Sequence, residues 1–480
     1  MLENIREEKI KKMQNFIDAG IEPYPAGPYK KEPTTEALKK SVGENVRIAG
    51  RIMLFREMGN ITFLTIQDEA GRMQAVLSKK ELENQDYKFW IKNLDMGDFV
   101  GLKGSRFTTQ KGEESVLVKT ITLLSKSLLP LPDKHKALQD EEKRLRKRYL
   151  DMMFNSDVKD LVYKRDKYWN AIRTFLKERG FTEVYTPVLE TTPGGADARP
   201  FITYHNALDM PVYLRISMGE LWQKRLMVAG FEKTFEIGRQ FRNEGMDAEH
   251  LQDYSQVEFY WAYANYEMGM ELVEEMYKYI AMQVFGTLKF SIKGWDIDLG
   301  SEWKRYSYSE TIEEMTGINI NNASLEDITK KLAELKVDYD RKGWNITRAI
   351  DTLWKYCRKH ISGPGFLIHE PVSISPLAKR MSSDPNLTER FHVLIGGSEI
   401  GNGYSELNDP LDQASRFEEQ QALRDSGDEE AQMHDKDFVE ALEYGMPPTC
   451  GFGTSERLLW FLLDKSAREC QTFPLMKPEA

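Results

Sequence analysis

Hydrophobic and polar positions alternate from Val46 onward. Val46, Ile48, Gly50 and Ile52 share one parity and Arg47 and Arg51 the other, the period of a half-buried strand. "NITFLTIQDEAGRMQAVL" continues as two such runs around a Glu-Ala-Gly turn. "DFVGLKGSRF" and "EESVLVKTITLL" add two more, with glycines at the corners. A short helical stretch, "KKELENQDYKFWIKNL", precedes the fourth run. Five short strands within residues 46–127 predict a small Greek-key barrel of the OB type.

Outside that region the period changes. Residues 1–18 are helical in pattern, and "GIEPYPAGPYKKEPTT" breaks the helix with Gly and Pro, so 1–45 reads as an N-terminal helix and linker. "LLPLPDKHK" marks a second linker, placed at 128–150. It ends in "EEKRLRKRYLDM", a charge run of the kind that usually forms a solvated helix face. Leu161, Trp169, Ile172 and Leu176 then recur at helical spacing over 158–179. From 151 to 480 strands and helices mix, with strands often adjacent in sequence, which predicts an α+β domain around an antiparallel sheet. Residues 322–362 read as a helical insertion in it.

Composition narrows the class. The chain has 480 residues, 41% hydrophobic and 30% charged, as in ordinary globular proteins with more than one core. No apolar run reaches the ~18–20 residues that span a bilayer, so no membrane role is expected. The first residues, "MLENIREEKIKKMQNFI", lack the apolar core and cleavage site of a signal peptide. Cys357, Cys450 and Cys470 are spaced neither as a disulfide framework nor as a zinc site, which points to a reducing cytoplasm. The net charge of −10 excludes nucleic-acid binding by bulk charge and leaves it to local basic patches.

The sequence contains no GxxxxGK[ST] loop, no Rossmann glycine fingerprint, no HExxH and no GxSxG elbow. A nucleotide, if bound, sits on another scaffold. Three segments stand out instead: "GFTEVYTPVLETTPGGADARPF" (180–201), "FEIGRQFRNEGMDAEH" (235–250) continuing into "LQDYSQVEFYWAY", and "PPTCGFGTSERLLWFLL" (447–463). They resemble, in order, the three signature motifs of the class II aminoacyl-tRNA synthetases. "RPFITYHNALDMPVYLRIS", "GGSEIGNGYSELNDPLDQASRF", "EYGMPPT", "GIEPYP" and "LPLPDKH" with "QDEEKRLRKRYLDM" are similar to the lysine-specific branch of that family. The resemblance covers nearly the whole chain apart from 322–362.

It implies an OB-fold anticodon-binding domain followed by a class II catalytic domain. It also implies ATP-dependent activation of L-lysine and transfer of the lysyl group to the 3′ end of tRNA(Lys). Joining a carboxylate to the α-phosphate brings two anions together, so fixed cations are needed. By resemblance Arg242 bridges the two, Glu244 and His250 contact adenine and the distal phosphates, Tyr254 stacks on the purine, and Arg457 covers its other face and reaches the γ-phosphate. Taken alone, Arg242 and Glu244 would read as a surface ion pair, His250 as a loop hydrogen-bonder and Tyr254 as core. Glu220 is implied to hold the α-amino group, Asn402 and Arg242 the carboxylate, and Glu258, Tyr260 and Glu406 the ε-ammonium, with Tyr404 in the same pocket. An acidic pocket of this kind favours a cation and repels aspartate.

Magnesium entering with ATP is implied, with Glu399, Glu406 and His392 as candidate ligands. The family places two acidic residues seven apart in this region, and His392 stands where the first is normally Glu. An imidazole is a poor magnesium ligand. "HLQDYSQVEFY" also departs from the usual "HNPEFTMMELY", and "GFGTSER" is one residue shorter than "GLGIGIDR". On the barrel, Phe63 matches the residue that stacks on the central anticodon base, and Gln74 with Glu113 or Glu114 those that bond its edge. Arg51 and Arg56 are neighbours for the RNA backbone, and Arg6, Lys9, Lys11 and Lys12 either touch the same stem-loop or are solvated. From alternation alone Phe63 reads equally well as barrel core. A homodimer with the Pro187 region at its interface is implied. Three alternatives remain: an aspartate or asparagine synthetase, a protein-lysylating enzyme, and an RNA-binding regulator with an inactive synthetase domain.

Overall fold

Five strands close on themselves in the first part of the chain: Asn45–Met58, Ile61–Gln67, Arg72–Ser78, Phe99–Thr108 and Glu114–Ser125. The first pairs with the second and the fourth, the third with the second and, in parallel, with the fifth, and the fifth with the fourth, giving a closed barrel. Thr62, Leu64 and Ile66 point inward, so the opposite parity, Ile61, Phe63 and Thr65, faces outward. The helix Tyr87–Asn93 lies between the third and fourth strands. The helix Leu2–Asp18 anchors through Phe16, whose ring lies 5.3 Å from both Phe89 and Trp90.

The computed structural model describes residues 2–83, 85–132, 140–196, 198–245, 249–339, 344–426 and 431–479. Residues 133–139 of the expected linker, 246–248 of the second motif and 340–343 of the expected insertion lie outside them. The chain divides into two compact units, Met1–Asp140 and Glu141–Ala480.

The second unit is organised by an eight-stranded sheet. Its order is Lys304–Ser307, Gly365–Ile368, Arg390–Ile395, Ser398–Ser405, Thr449–Ser455, Asp253–Ala262, Lys233–Phe241 and Thr182–Glu183. All neighbours are antiparallel except the pair at each edge. The long helices Ser156–Glu178 and Tyr266–Phe285 cover one face. There Ile172, Phe175, Val273, Met276 and Tyr277 pack on Phe259, Phe391 and Phe452 in one continuous core. Burying this apolar face is the main stabilising term, and it leaves the other face for polar side chains. Helices Leu325–Glu334 and Ile346–Arg358 form a satellite core with Tyr308 and Leu353.

Two charged stretches are less solvated than their composition predicts. In "EEKRLRKRYLDM", Arg148 and Asp151 are buried, and Arg148 Nη1 donates to Asp151 Oδ2 at 2.8 Å. Lys9 is neither solvated nor open to RNA. It is 6% exposed, and its ammonium donates to the Met96 carbonyl at 3.1 Å. Lys12 pairs with Asp95 at 2.7 Å, while Arg6 and Lys11 are exposed. No helix among the described residues is long and apolar enough to cross a membrane.

Candidate active site

Three adjacent strands build a cavity of about 400 Å³ on the uncovered face of the sheet. Along Asp253–Ala262 the period of two sends Tyr254, Gln256, Glu258 and Tyr260 into the cavity and Val257 and Phe259 into the core. From Ser398–Ser405 and the following residue come Asn402, Tyr404 and Glu406. Between them runs Thr449–Ser455, with Gly451 opposite Tyr260 and Tyr404 and Gly453 opposite Glu258 and Asn402. A Cβ on Gly451 would lie 2.0 Å from Glu406 Oε1 and 2.7 Å from the Tyr260 ring, so only glycine leaves the floor open.

One end is acidic and buried. Glu220 opens the helix Glu220–Val228 after Gly219, whose φ of 67° glycine tolerates best. One turn later Lys224 points the same way, which is the i,i+4 relation. Its ammonium, fully buried, donates to Glu220 Oε1 at 3.0 Å and meets Glu406 Oε2 at 2.5 Å. The Tyr404 hydroxyl also donates to Glu220. Glu258 accepts from the Met218 amide at 2.9 Å, Gln256 Nε2 at 2.7 Å and the Tyr260 hydroxyl at 3.0 Å.

Glu220 and Glu406 thus share one ammonium, and Glu258 adds a third carboxyl at the same end of the cavity. Burial, then repulsion from Glu220, pushes Glu258 up to about 7, against its hydrogen bonds and Arg242. Burial pushes Glu406 up to about 8 against the attraction of Lys224, and Glu220 adds repulsion. Burial opposes charge on Lys224, but Glu220 and Glu406 outweigh it and hold its pKa above the ordinary lysine value.

The other end carries guanidinium groups. Arg242 and Arg457 both line this one cavity. Arg242 Nε donates to the Ile216 carbonyl at 3.3 Å, and its guanidinium carbon is 6.0 Å from the Tyr254 ring centroid. Arg457, at the start of the helix Arg457–Leu462, donates to Glu249, which also accepts from Lys293. Buried Arg457 Nε has no hydrogen-bond partner among the described residues. Despite burial, Arg457 and Lys293 hold Glu249 below the usual carboxylate range.

Glu399 and His392 line the cavity, on paired strands. Glu399 accepts from Trp354 Nε1 at 2.6 Å and meets Arg358 Nη1 at 3.2 Å. Burial acts against its charge, but His392 and Arg358 hold its pKa below the ordinary value. His392 Nε2 is 2.9 Å from Glu370 Oε2, and Arg390 Nε is 3.2 Å from the same oxygen. Arg390 and His392 overcome burial and hold Glu370 down to about 2. No group of three His, Cys, Asp or Glu among the described residues is arranged to hold a metal ion.

The structure therefore brings together the expected Glu220, Arg242, Tyr254, Glu258 and Tyr260 with Asn402, Tyr404, Glu406 and Arg457. His250 is exposed and reaches the same cavity. Glu244 is exposed and does not line it. Arg242 and Glu244 form no ion pair on a strand face, because the strand ends at Phe241. Sequence reasoning missed Lys224, Trp460, Glu370 and Arg358. Only Lys224 left a signal, its position four residues after Glu220.

On the barrel, Phe63 lies on the outer face opposite Arg56, whose guanidinium carbon is 5.6 Å from the ring centroid. It is not barrel core. Gln74 shares that outer face one strand over, its Nε2 donating to Ser115 Oγ at 2.9 Å. Glu113 is exposed, and Glu114 pairs with Arg106 at 2.5 Å. Arg51 stacks on Phe99 at 4.2 Å and donates to the Gly97 carbonyl.

Residues 140–477 match the family described as tRNA synthetases class II (D, K and N), and residues 46–124 match the OB-fold nucleic acid binding domain. The chain belongs to the class II tRNA synthetases. Similar proteins agree over its full length. The lysine–tRNA ligase of Fervidobacterium nodosum is 44% identical, covering 100% of this chain and 95% of its own. That of Thermotoga maritima is 42% identical, covering 100% and 97%. That of Porphyromonas gingivalis is 43% identical, covering 99% and 86%. This synthetase thus combines an OB-fold domain with a class II catalytic domain built on an antiparallel-rich sheet.

Proposed function

We infer that the protein is a lysine–tRNA ligase, which activates L-lysine with ATP and transfers the lysyl group to the 3′ end of tRNA(Lys). The observation that carries this is the acidic end of the cavity, where Glu220 and Glu406 share the ammonium of Lys224 and Glu258 lines the same wall. A ligand with two ammonium groups and one carboxylate completes the charge. Its α-amino group meets Glu220, its ε-ammonium meets Glu258, Tyr260 and Glu406, and its carboxylate meets Arg242 with Asn402 alongside. A site built on buried hydrogen-bonding groups discriminates strongly against ligands that lack the partner. Aspartate and asparagine would add negative charge or none to a pocket that already has an excess.

ATP fits the other end. Tyr254 offers a ring face for adenine, with His250 nearby. Arg457, whose Nε lacks an acceptor among the described residues and whose Nη2 holds a carboxylate, marks the place of an anion, consistent with the γ-phosphate. A carboxylate oxygen of lysine attacks the α-phosphorus, the bond to the β-phosphate bridging oxygen breaks, and pyrophosphate leaves. A ribose hydroxyl of the terminal tRNA adenosine then attacks the lysyl carbonyl and AMP leaves. Arg242 places its guanidinium where the two anions meet and stabilises the charge that builds up there. Glu244 lies outside the cavity lining and is given no part in this scheme.

Magnesium is proposed to arrive with ATP, whose phosphate oxygens supply most of its ligands. The protein residues fit a further, protein-held ion poorly. Glu399 is taken by Trp354 and Arg358, His392 by Glu370, and Glu406 by Lys224 at the lysine end. The outward Phe63, with Arg56, Gln74 and Glu113, supports anticodon reading by stacking and edge bonding. Homodimerisation is supported by apolar residues left exposed around the first motif: Tyr185 at 84%, Ile202 at 68% and Leu208 at 63%. A cytoplasmic location accords with three free cysteines.

The deciding experiment is ATP–pyrophosphate exchange with lysine, aspartate and asparagine supplied separately. Lysine alone is expected to support exchange. Exchange with aspartate or asparagine instead would move the chain to a sister specificity, and none with any of the three would favour the inactive regulator.

A further inference from the structure

Glu399 and His392, which line the cavity, are surrounded by a charge arrangement of their own. Helix Ile346–Arg358 sends Trp354 and Arg358, four residues apart, onto the two oxygens of Glu399. Glu370, just after the strand Gly365–Ile368, stands behind His392 and holds both its Nε2 and Arg390. Every carboxylate here therefore already has a cation on it, and an imidazole occupies the place of a second oxygen donor. A hard divalent cation needs oxygens whose charge is still available. Guanidinium groups fixed at this point, Arg390 in the cavity wall and Arg358 behind Glu399, supply the same sign of charge.

We propose that in this chain Arg358 and Arg390, held by Glu399 and the Glu370–His392 pair, take the place of a protein-held divalent ion at the phosphate end. Divalent ions in the nucleotide complex are then held by phosphates and water. The proposal rests on the nucleotide reading of the cavity.

The test counts Mn²⁺ rather than turnover. Free Mn²⁺ is measured by electron paramagnetic resonance over the full chain with lysine and a non-hydrolysable ATP analogue. The comparison is wild type, Arg358→Gln, and Arg358→Gln combined with His392→Glu. The double variant is expected to bind one more Mn²⁺ per chain than wild type. Arg358→Gln alone, changing a partly exposed side chain at a helix end, is expected to tighten the weakest Mn²⁺ about tenfold by uncovering Glu399. Should the double variant fail to fold, by circular dichroism, the single variant decides. Equal Mn²⁺ number and affinity in wild type and the folded variants overturns the proposal. Failure of wild type to bind the analogue at all, read by calorimetry, overturns the nucleotide reading instead and takes this proposal with it.

Discussion

Lys224 meets Glu406 at 2.5 Å, buried behind the wall of the pocket proposed to receive a second lysine. The protein's own ammonium neutralises part of the acidic end and leaves a deficit matched to the ligand. Lys224→Met removes that ammonium and leaves Glu220 and Glu406 facing each other in a buried site. Breaking a buried pair from one side costs about 3–5 kcal/mol. The unfolding midpoint in urea should fall accordingly, and added lysine should recover more stability in the variant than in wild type. An unchanged midpoint would show that Lys224 carries no such balance.

Arg242→Ala should lower lysine-dependent pyrophosphate exchange by on the order of 10²–10³-fold, the usual effect of losing one fixed donor at a developing charge. The fold should persist, because the hydrogen bond that its guanidinium gives to the Ile216 carbonyl is a long one, 3.3 Å. Near-normal exchange in this variant contradicts the role given to Arg242.

The pH dependence follows from the raised carboxyl groups. Glu258 near 7 and Glu406 near 8 lie above the ordinary glutamate value of 4.5. Between about pH 4.5 and 8 the empty folded protein holds protons that the unfolded chain has released. Its stability therefore declines as pH rises through that window. Lysine favours the ionised carboxylates, so its binding should release protons near pH 6.5 and weaken as pH falls from 8 to 6. Titration calorimetry in phosphate and in imidazole buffer reads the released protons. Identical heats in the two, with a flat affinity, would exclude this coupling.

Phe63→Ala should weaken tRNA binding by about 1–3 kcal/mol, the range for one stacked base. Exchange without tRNA should not change, because the cavity lies wholly between Gly195 and Trp460. The split is read as a raised KM for tRNA in aminoacylation with normal exchange. A variant that charges tRNA normally removes Phe63 from the contact.

What could be read from the chain and what could not divides along a physical line. Glu258 and Tyr260 were named through the family resemblance, and the period of two along Asp253–Ala262 is what turns both into the cavity. The barrel was legible from the same period, yet Phe63 was not: alternation separates two faces without saying which is inside. Thr62 on the inner parity shows how weak that signal is. Lys9 and Arg148 looked solvated because charge suggests water, and only the folded chain supplies the carbonyls and Asp151 that bury them. His392 was visible as a departure, but its partner Glu370 lies 22 residues away on a neighbouring segment and carries no local mark. Glu244 was read as facing the nucleotide, and its side chain lies elsewhere.

The floor of bare backbone at Gly451 and Gly453 has a thermodynamic corollary. No rotamer has to be chosen there, so the depth of the hollow is inherited from strand spacing and exists before any guest arrives. Entropy lost on association is confined to the walls, and a single added methyl at 451 would close the room by driving into the Glu406 carboxylate and the Tyr260 ring.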